Sequence, residues 1–148
     1  FVSVLVNPTE ALLEKIKDLN FDYYQLYDVD PIRTEQIKLK YKKKIITAIT
    51  VSGKDDVIKY KDYSKISDII LFDGKGYHKS ESFDHNLLEG VPSELNKMIA
   101  GNIQINDIHS FKNKDFIIDL SKACENENGK KDIDKIDNLL NTIHNINQ

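Results

Sequence analysis

The sequence predicts an α/β protein built on a parallel sheet, and three observations carry that prediction. Six short apolar segments alternate with segments carrying helix caps and helical periodicity, at roughly 20 to 25 residues per unit, the pattern of consecutive strand-helix units with right-handed crossovers. One of them, Asp68-Ile69-Ile70-Leu71-Phe72-Asp73-Gly74, sets four apolar residues in a row between two acids. Such a strand is buried on both faces, as in a parallel sheet covered by helices. No charge block, low-complexity tract or linker interrupts the 148 residues, so 1–148 reads as a single domain.

In order, Phe1 to Val6 is apolar and β-branched, a strand. Asn7 as cap, Pro8 at the first helical position and Glu10 closing a capping box predict a helix whose apolar stripe is Leu12, Leu13, Ile16 and Leu19. Phe21 to Tyr27 is the second strand, and Asp30-Pro31 opens a helix to about Lys43. Ile45 to Val51 and then Lys54 to about Tyr63 form the third unit. Asp68 to Asp73 is the fourth strand, followed by a Gly- and Ser-rich loop and a short helix near Phe83 to Leu88. Asn96 to Ala100 precedes a helix from about Gln104 to Phe111. Phe116 to Leu120 is the sixth strand. A last helix runs from Asp132 to about His144, with Ile133, Ile136, Leu139, Leu140 and Ile143 as its expected buried stripe.

Composition narrows the class. A hydrophobic fraction of 40%, a charged fraction of 30% and a net charge of −3 describe a globular domain without general affinity for nucleic acid or membranes. No apolar run reaches the ~18 residues of a bilayer span, and no signal-peptide pattern is present. The one cysteine, Cys124, excludes an internal disulfide framework and fits a reducing cytoplasm. Cys and His are too few and scattered for a zinc site, so no metal is expected. The basic run Lys38 to Lys44 lies at a helix end, where it complements the helix dipole rather than binding nucleic acid.

Two architectures fit six units: an open doubly wound sheet, complete as it stands, or a (β/α)₈ barrel short by two units, about 50 to 60 residues. The start at Phe1, inside an apolar run, favours strands three to eight of a barrel.

In either architecture chemistry gathers at the carboxyl ends of the strands. Asp73 stands at such an end, where a catalytic acid would lie; Asp68, at the amino end, reads as structural. Gly101 follows the fifth strand, and Ser121 and Lys122 follow the sixth. A glycine that allows close approach, a hydroxyl and a cation form the elements of a phosphate site, although small residues after strands are also ordinary turn chemistry.

The chain resembles the last three-quarters of the phosphoribosylanthranilate isomerase family, (β/α)₈ barrels of tryptophan biosynthesis. Val4-Leu5-Val6-Asn7 is similar to that family's third strand, and Tyr24-Gln25-Leu26-Tyr27 to its Val-Gln-Leu-His-Gly strand. Leu71-Phe72-Asp73 and Ser82-Phe83-Asp84-His85 resemble Leu-Leu-Asp and Thr-Phe-Asp-Trp. Ile99-Ala100-Gly101-Asn102 resembles Leu-Ala-Gly-Gly. Ile118-Asp119-Leu120-Ser121, with Glu125 and Gly129-Lys130-Lys131-Asp132, resembles Val-Asp-Val-Ser-Ser-Gly-Val-Glu and Pro-Gly-Lys-Lys-Asp. The order and spacing of these segments are specific, not any one of them.

The resemblance implies an Amadori rearrangement of an N-glycosyl aminoaldose to an aminoketose, without a cofactor. It implies Asp73 as the general acid that opens the furanose ring, and Gly101, Asn102, Ser121 and Lys122 around the substrate phosphate. It places the family's cysteine base and a substrate-binding arginine before Phe1, so that these 148 residues alone are expected to be inactive. It further implies a phosphorylated sugar-anthranilate as the small-molecule partner, a monomer or homodimer, and a cytoplasmic location. The chain departs from the family pattern at Tyr27 for His, at Lys79-Ser80-Glu81 after Asp73, at Asn102 for Gly, and at Lys122-Ala123 for Ser-Gly. Cys124 aligns with a valine and reads as a small buried hydrophobe, not a base. His78 is expected at the surface, with substrate contact as its other reading, and His85, His109 and His144 read as surface or core residues. The competing classes are a sister phosphate-binding barrel such as an indole-glycerol-phosphate synthase, a degenerate barrel without activity, and a receiver-like signalling domain. The last lacks its acidic pair, having Asn7-Pro8 after the first strand.

Overall fold

In the computed structural model, residues 1–76 and 81–146 are described. Six strands, β1 Val2–Val6, β2 Tyr23–Tyr27, β3 Lys44–Val51, β4 Ile69–Gly74, β5 Lys97–Ile99 and β6 Ile117–Ile118, lie in the order β1-β2-β3-β4-β5-β6, every neighbouring pair parallel. That order decides between the two architectures. A doubly wound sheet reverses its strand order at a switch point, whereas a strictly sequential sheet keeps every crossover on one face and curls toward closure. The molecule is an arc of a (β/α) barrel.

Strand parity then defines an outer and an inner face. Leu5, Tyr24, Leu26 and Ile45 pack outward with Leu13 and Ile37 of the helices, and Ile49, Val51, Ile70, Phe72 and Ile99 continue this layer. Tyr27, Ile46, Leu71 and Ala100, flanked by Tyr23, Ala48, Ile69 and Met98, form the inner layer. Burial of both faces is why β4 needs its unbroken apolar run. On β1 only Leu5 of the outer face is buried, and Val2, Val4 and Val6 are exposed on the other.

The helices keep their expected places but not all their expected forms. Helix α1 (Glu10–Ile16) is capped by Thr9, whose hydroxyl accepts from the Leu12 N–H at 3.3 Å, and not by Asn7, which stands at φ 39°. Helix α2 (Pro31–Tyr41) has the expected Asp30 cap and Pro at its start. The expected helix from Lys54 to Tyr63 is two short ones, α3 (Lys54–Ile58) and α4 (Tyr60–Tyr63), because the Lys59 N–H turns back only three residues, to the Asp56 carbonyl. The segments His85–Leu88 and Ile105–Phe111 are 3₁₀ rather than α.

The last helix, α5 (Ile133–Ile146), departs furthest. Ile133, Leu140 and Ile143 of the expected buried stripe are exposed, and its one fully buried residue is Ile146. Periodicity identified an apolar side, but α5 packs mainly against the Ile105–Phe111 segment and the 3₁₀ turn Lys122–Cys124, and leaves part of that side uncovered.

Three lysines of the basic run are engaged internally. Lys38 pairs with Asp68, Lys40 with Glu10 and Glu14, and Lys43 donates to the Leu19 and Phe21 carbonyls. Asp68 also accepts the Ile45 N–H at 2.8 Å, so it ties α2 and β3 to the foot of β4, as an amino-end acid should.

Candidate active site

The carboxyl ends of β2, β4, β5 and β6 meet on the inner face. Tyr27 ends β2, and Asp73 lies one residue before the end of β4. Ala100 donates its N–H to the Phe72 carbonyl at 2.9 Å, and Asp119 donates its N–H to the Ile99 carbonyl at 2.8 Å, so both ladders run one residue past the strands proper. The inward parity of Ile117 carries Asp119 to the same side as Asp73.

Asp73 is half-buried, and its two oxygens differ. Oδ2 accepts the Tyr27 hydroxyl at 2.8 Å. Oδ1 is fully buried and has no hydrogen-bond partner among the described residues. Burial raises the Asp73 carboxyl above the ordinary carboxylate range, against the Tyr27 hydrogen bond and the Gly74 N–H, and the neighbouring Asp119 charge raises it further. Asp119 is raised too, by burial, with Lys131 opposing. Two carboxyl groups sharing one poorly solvated mouth cannot both ionise cheaply, which favours the protonated form of Asp73.

The loops above this pair are held by backbone contact. A Cβ on Gly74 would lie 1.7 Å from the Glu81 carbonyl oxygen, and one on Gly101 would lie 2.6 Å from the Gly74 nitrogen. Gly101 also has φ +102°, outside the range of other residues. Its first duty is therefore to let the loops after β4 and β5 touch. Asn102 follows at φ 52°, and the Gln104 amide donates to both its carbonyl and its side chain, at 3.0 and 3.1 Å.

Asn102 and Lys122 line one cleft of about 440 Å³ with Gln104, Ala123, Gly129 and Lys135. Ser121 lies beside it, but its hydroxyl is engaged with Glu125 at 3.5 Å and with the Lys131 ammonium at 3.4 Å. Lys131 also donates to the Ser121 carbonyl and pairs with Glu125, both at 2.8 Å. The sequence-derived set thus falls into two groups: Asp73 with its neighbours at the mouth, and Asn102 and Lys122 in the adjoining cleft.

Two members of the mouth, Tyr27 and Asp119, are not among the site residues that the sequence predicts. For Asp119 the signal was present, since it stands two residues after the inward Ile117, as Asp73 stands two after Leu71. Cys124 is buried. His78 lies outside the described residues. Among the described residues no cluster of His, Cys, Asp and Glu could hold a metal ion, and no helix is long and apolar enough to cross a membrane.

An incomplete (β/α) barrel with acids and a polar cleft at the carboxyl ends of its strands defines a class: barrel enzymes that act on small molecules at that end. Residues 1–142 match the family model described as N-(5'-phosphoribosyl)anthranilate isomerase. Curated relatives of that name include one from Parabacteroides distasonis, 33% identical over 96% of this chain and 68% of its own length. Another, from Rhizobium rhizogenes, is 31% identical over 96% and 69%. The phosphoribosyl anthranilate isomerase structure from Thermotoga maritima superposes with a TM-score of 0.82 at 24% identity, covering 97% of this chain and 72% of that one. A further isomerase structure, in complex with reduced 1-(o-carboxyphenylamino)-1-deoxyribulose 5-phosphate, superposes at 0.79 and 21% identity, covering 97% and 71%.

The chain belongs to the N-(5'-phosphoribosyl)anthranilate isomerase family. Its function is that family's isomerisation, a step of tryptophan biosynthesis.

Proposed function

We propose that Asp73 is the general acid of this isomerisation and that Gly101, Asn102, Ser121 and Lys122, in and beside the cleft that Asn102 and Lys122 line, receive the substrate phosphate. The observation that carries the reading is the half-buried Asp73 carboxyl, held above the ordinary carboxylate range by burial and with one oxygen lacking a partner among the described residues. A carboxyl group in such a state gives its proton to the furanose ring oxygen. The C1–O bond breaks toward that oxygen, and the anthranilate nitrogen lone pair forms the C1=N⁺ iminium. Loss of the C2 proton to a base then gives the enolamine, which becomes the aminoketose. No redox cofactor is needed, because the oxidation at C2 balances the reduction at C1.

The cleft supports the phosphate reading in part. Lys122 and Lys135 supply positive charge and Asn102 an amide, while Glu125 and Glu127 in the same lining offset that charge. Ser121 enters only if its hydroxyl exchanges Glu125 and Lys131 for the phosphate. Asp119, facing the sugar side of the mouth, is a second carboxylate for substrate hydroxyls. We infer in addition that residues 1–148 form one barrel domain, and that the protein works in the cytoplasm as a monomer or homodimer, a Thermotoga maritima relative being described as dimeric.

The test is an NMR titration of the ¹⁵N-labelled protein with the reduced deoxyribulose phosphate analogue. Amide shifts confined to Gly74, Gly101, Asn102, Ser121 and Lys122 are expected. Shifts elsewhere with these five unmoved overturn the assignment of the cleft.

A further inference from the structure

Tyr27 is the side chain that reaches Asp73, and it does so across an intervening strand. Tyr27 belongs to β2 and Asp73 to β4, with β3 between them. Two strand spacings amount to about 10 Å, which only a long side chain can bridge. The inner residues of β3 make room: Ala48 is small, and Ile46 packs beneath it. The Tyr27 ring is 8% exposed and belongs to that inner layer.

The hydrogen bonds along this path have a direction. Gln25, on the same face of β2 two residues earlier and 6% exposed, donates its amide N–H to the Tyr27 oxygen at 3.3 Å. Tyr27 donates its own proton to Asp73 Oδ2 at 2.8 Å. Donation into a phenol oxygen polarises the phenol as a donor, so the two bonds reinforce one another. Asp73 Oδ2 is then held as an acceptor, which fixes the orientation of the carboxyl group.

We propose that Tyr27 is a positioning residue for the general acid: its hydrogen bond to Asp73 Oδ2 fixes the plane of the carboxyl group and sets how readily that group holds its proton, with Gln25 setting the direction of the Tyr27 proton. The inference rests on the proposed role of Asp73 and deepens it. The titratable groups facing Asp73 among the described residues are Tyr27 from β2 and Asp119 from β6, and Lys131 acts on the latter. Tyr27 itself stays protonated, since burial and the Asp73 charge raise its pKa. It is a fixed donor and does not relay a proton.

The experiment follows the Asp73 carboxyl carbon by ¹³C NMR against pH in the parent, Tyr27→Phe and Gln25→Leu proteins. Tyr27→Phe keeps the ring and removes the donor that favours the ionised form. The Asp73 titration is expected to move up by about one to two pH units, the worth of one hydrogen bond to a charged group. Gln25→Leu is expected to move it the same way by less, and carries the test alone should the phenylalanine variant fail to fold. In turnover by the full-length enzyme, the alkaline limb of the kcat profile is expected to move with the NMR titration while KM holds, which a merely structural role would not produce. An Asp73 titration unchanged in the variants that fold overturns the inference. Failure of the acid role itself would show separately, as full turnover in Asp73→Asn.

Discussion

Replacing Gly101 by Ala isolates what the backbone asks of this position from what a ligand asks of it. The new Cβ would stand 2.6 Å from the Gly74 nitrogen and 3.0 Å from its Cα, against a normal contact of about 3.5 to 4.0 Å. Neither atom can swing away, because Gly74 is itself pressed against the Glu81 carbonyl. The second cost is conformational: φ +102° lies outside what an L side chain adopts, and such strain is worth about 1 to 3 kcal/mol. Overpacking adds a comparable amount before relaxation. With partial relaxation the sum is about 3 kcal/mol, a large share of a domain's total. At a urea slope of about 2 kcal/mol per molar, the midpoint falls by about 1.5 M. Gly90→Ala is the control, having open space around its Cβ and no positive φ, and is expected within a few tenths of a kcal/mol of the parent or slightly above it. Parent-like midpoints for both variants would refute the close approach of the loops after β4 and β5, and leave Gly101 with no role but ligand contact.

Other residues give sharper readouts of charge. His85 packs edge-on against Phe83 at 4.8 Å and beside Phe111 at 5.1 Å, with its Nε2 buried and unpartnered among the described residues, and burial lowers its pKa. The fold therefore binds fewer protons there than the unfolded chain, so stability falls as pH drops through about 6.5. Thermal melts of His85→Phe should lose that decline and run higher at pH 5 to 6. Asp68 works in the opposite sense: burial opposes ionisation, but the Ile45 N–H and Lys38 outweigh it and lower its pKa. Its contribution is present above about pH 4 and lost as pH falls further. Asp68→Asn should cost about 1 to 2 kcal/mol at pH 7 in urea titrations and little at pH 3. Asp119, raised by burial, makes the charged form costly, so Asp119→Asn should gain about 0.5 to 2 kcal/mol at pH 7 while weakening binding of the analogue.

Much of this was legible in the sequence, for reasons that differ by element. The parallel strands were visible because β4 and β3 must be apolar on both faces. Asp73 stands out because strand polarity separates it from Asp68, and the two acids lie at opposite ends of β4, Asp68 tied to Lys38 and the Ile45 N–H and Asp73 at the mouth. Strand order was not legible, since the spacing of the units is the same in an open sheet and a barrel; the pairing of β1 through β6 in sequence settles it. Tyr27 was invisible as a site residue, because its partner is 46 positions away and lies across a strand. The exposed apolar residues of α5 show the converse limit: periodicity tells which side of a helix is apolar, and packing partners decide whether it is covered. Thr9 took the cap from Asn7 because Pro8 and Thr9 both precede the first turn, and a cap must lie three residues before the N–H it accepts, here that of Leu12.

The role of Asp73 carries the account, and one measurement addresses it directly: turnover of N-(5'-phosphoribosyl)anthranilate by the full-length enzyme with Asp73→Asn, alongside calorimetric binding of the reduced product analogue. Loss of the acid is expected to lower kcat by about 10²- to 10⁴-fold while the analogue still binds. A turnover rate close to the parent's, with binding intact, would contradict the account.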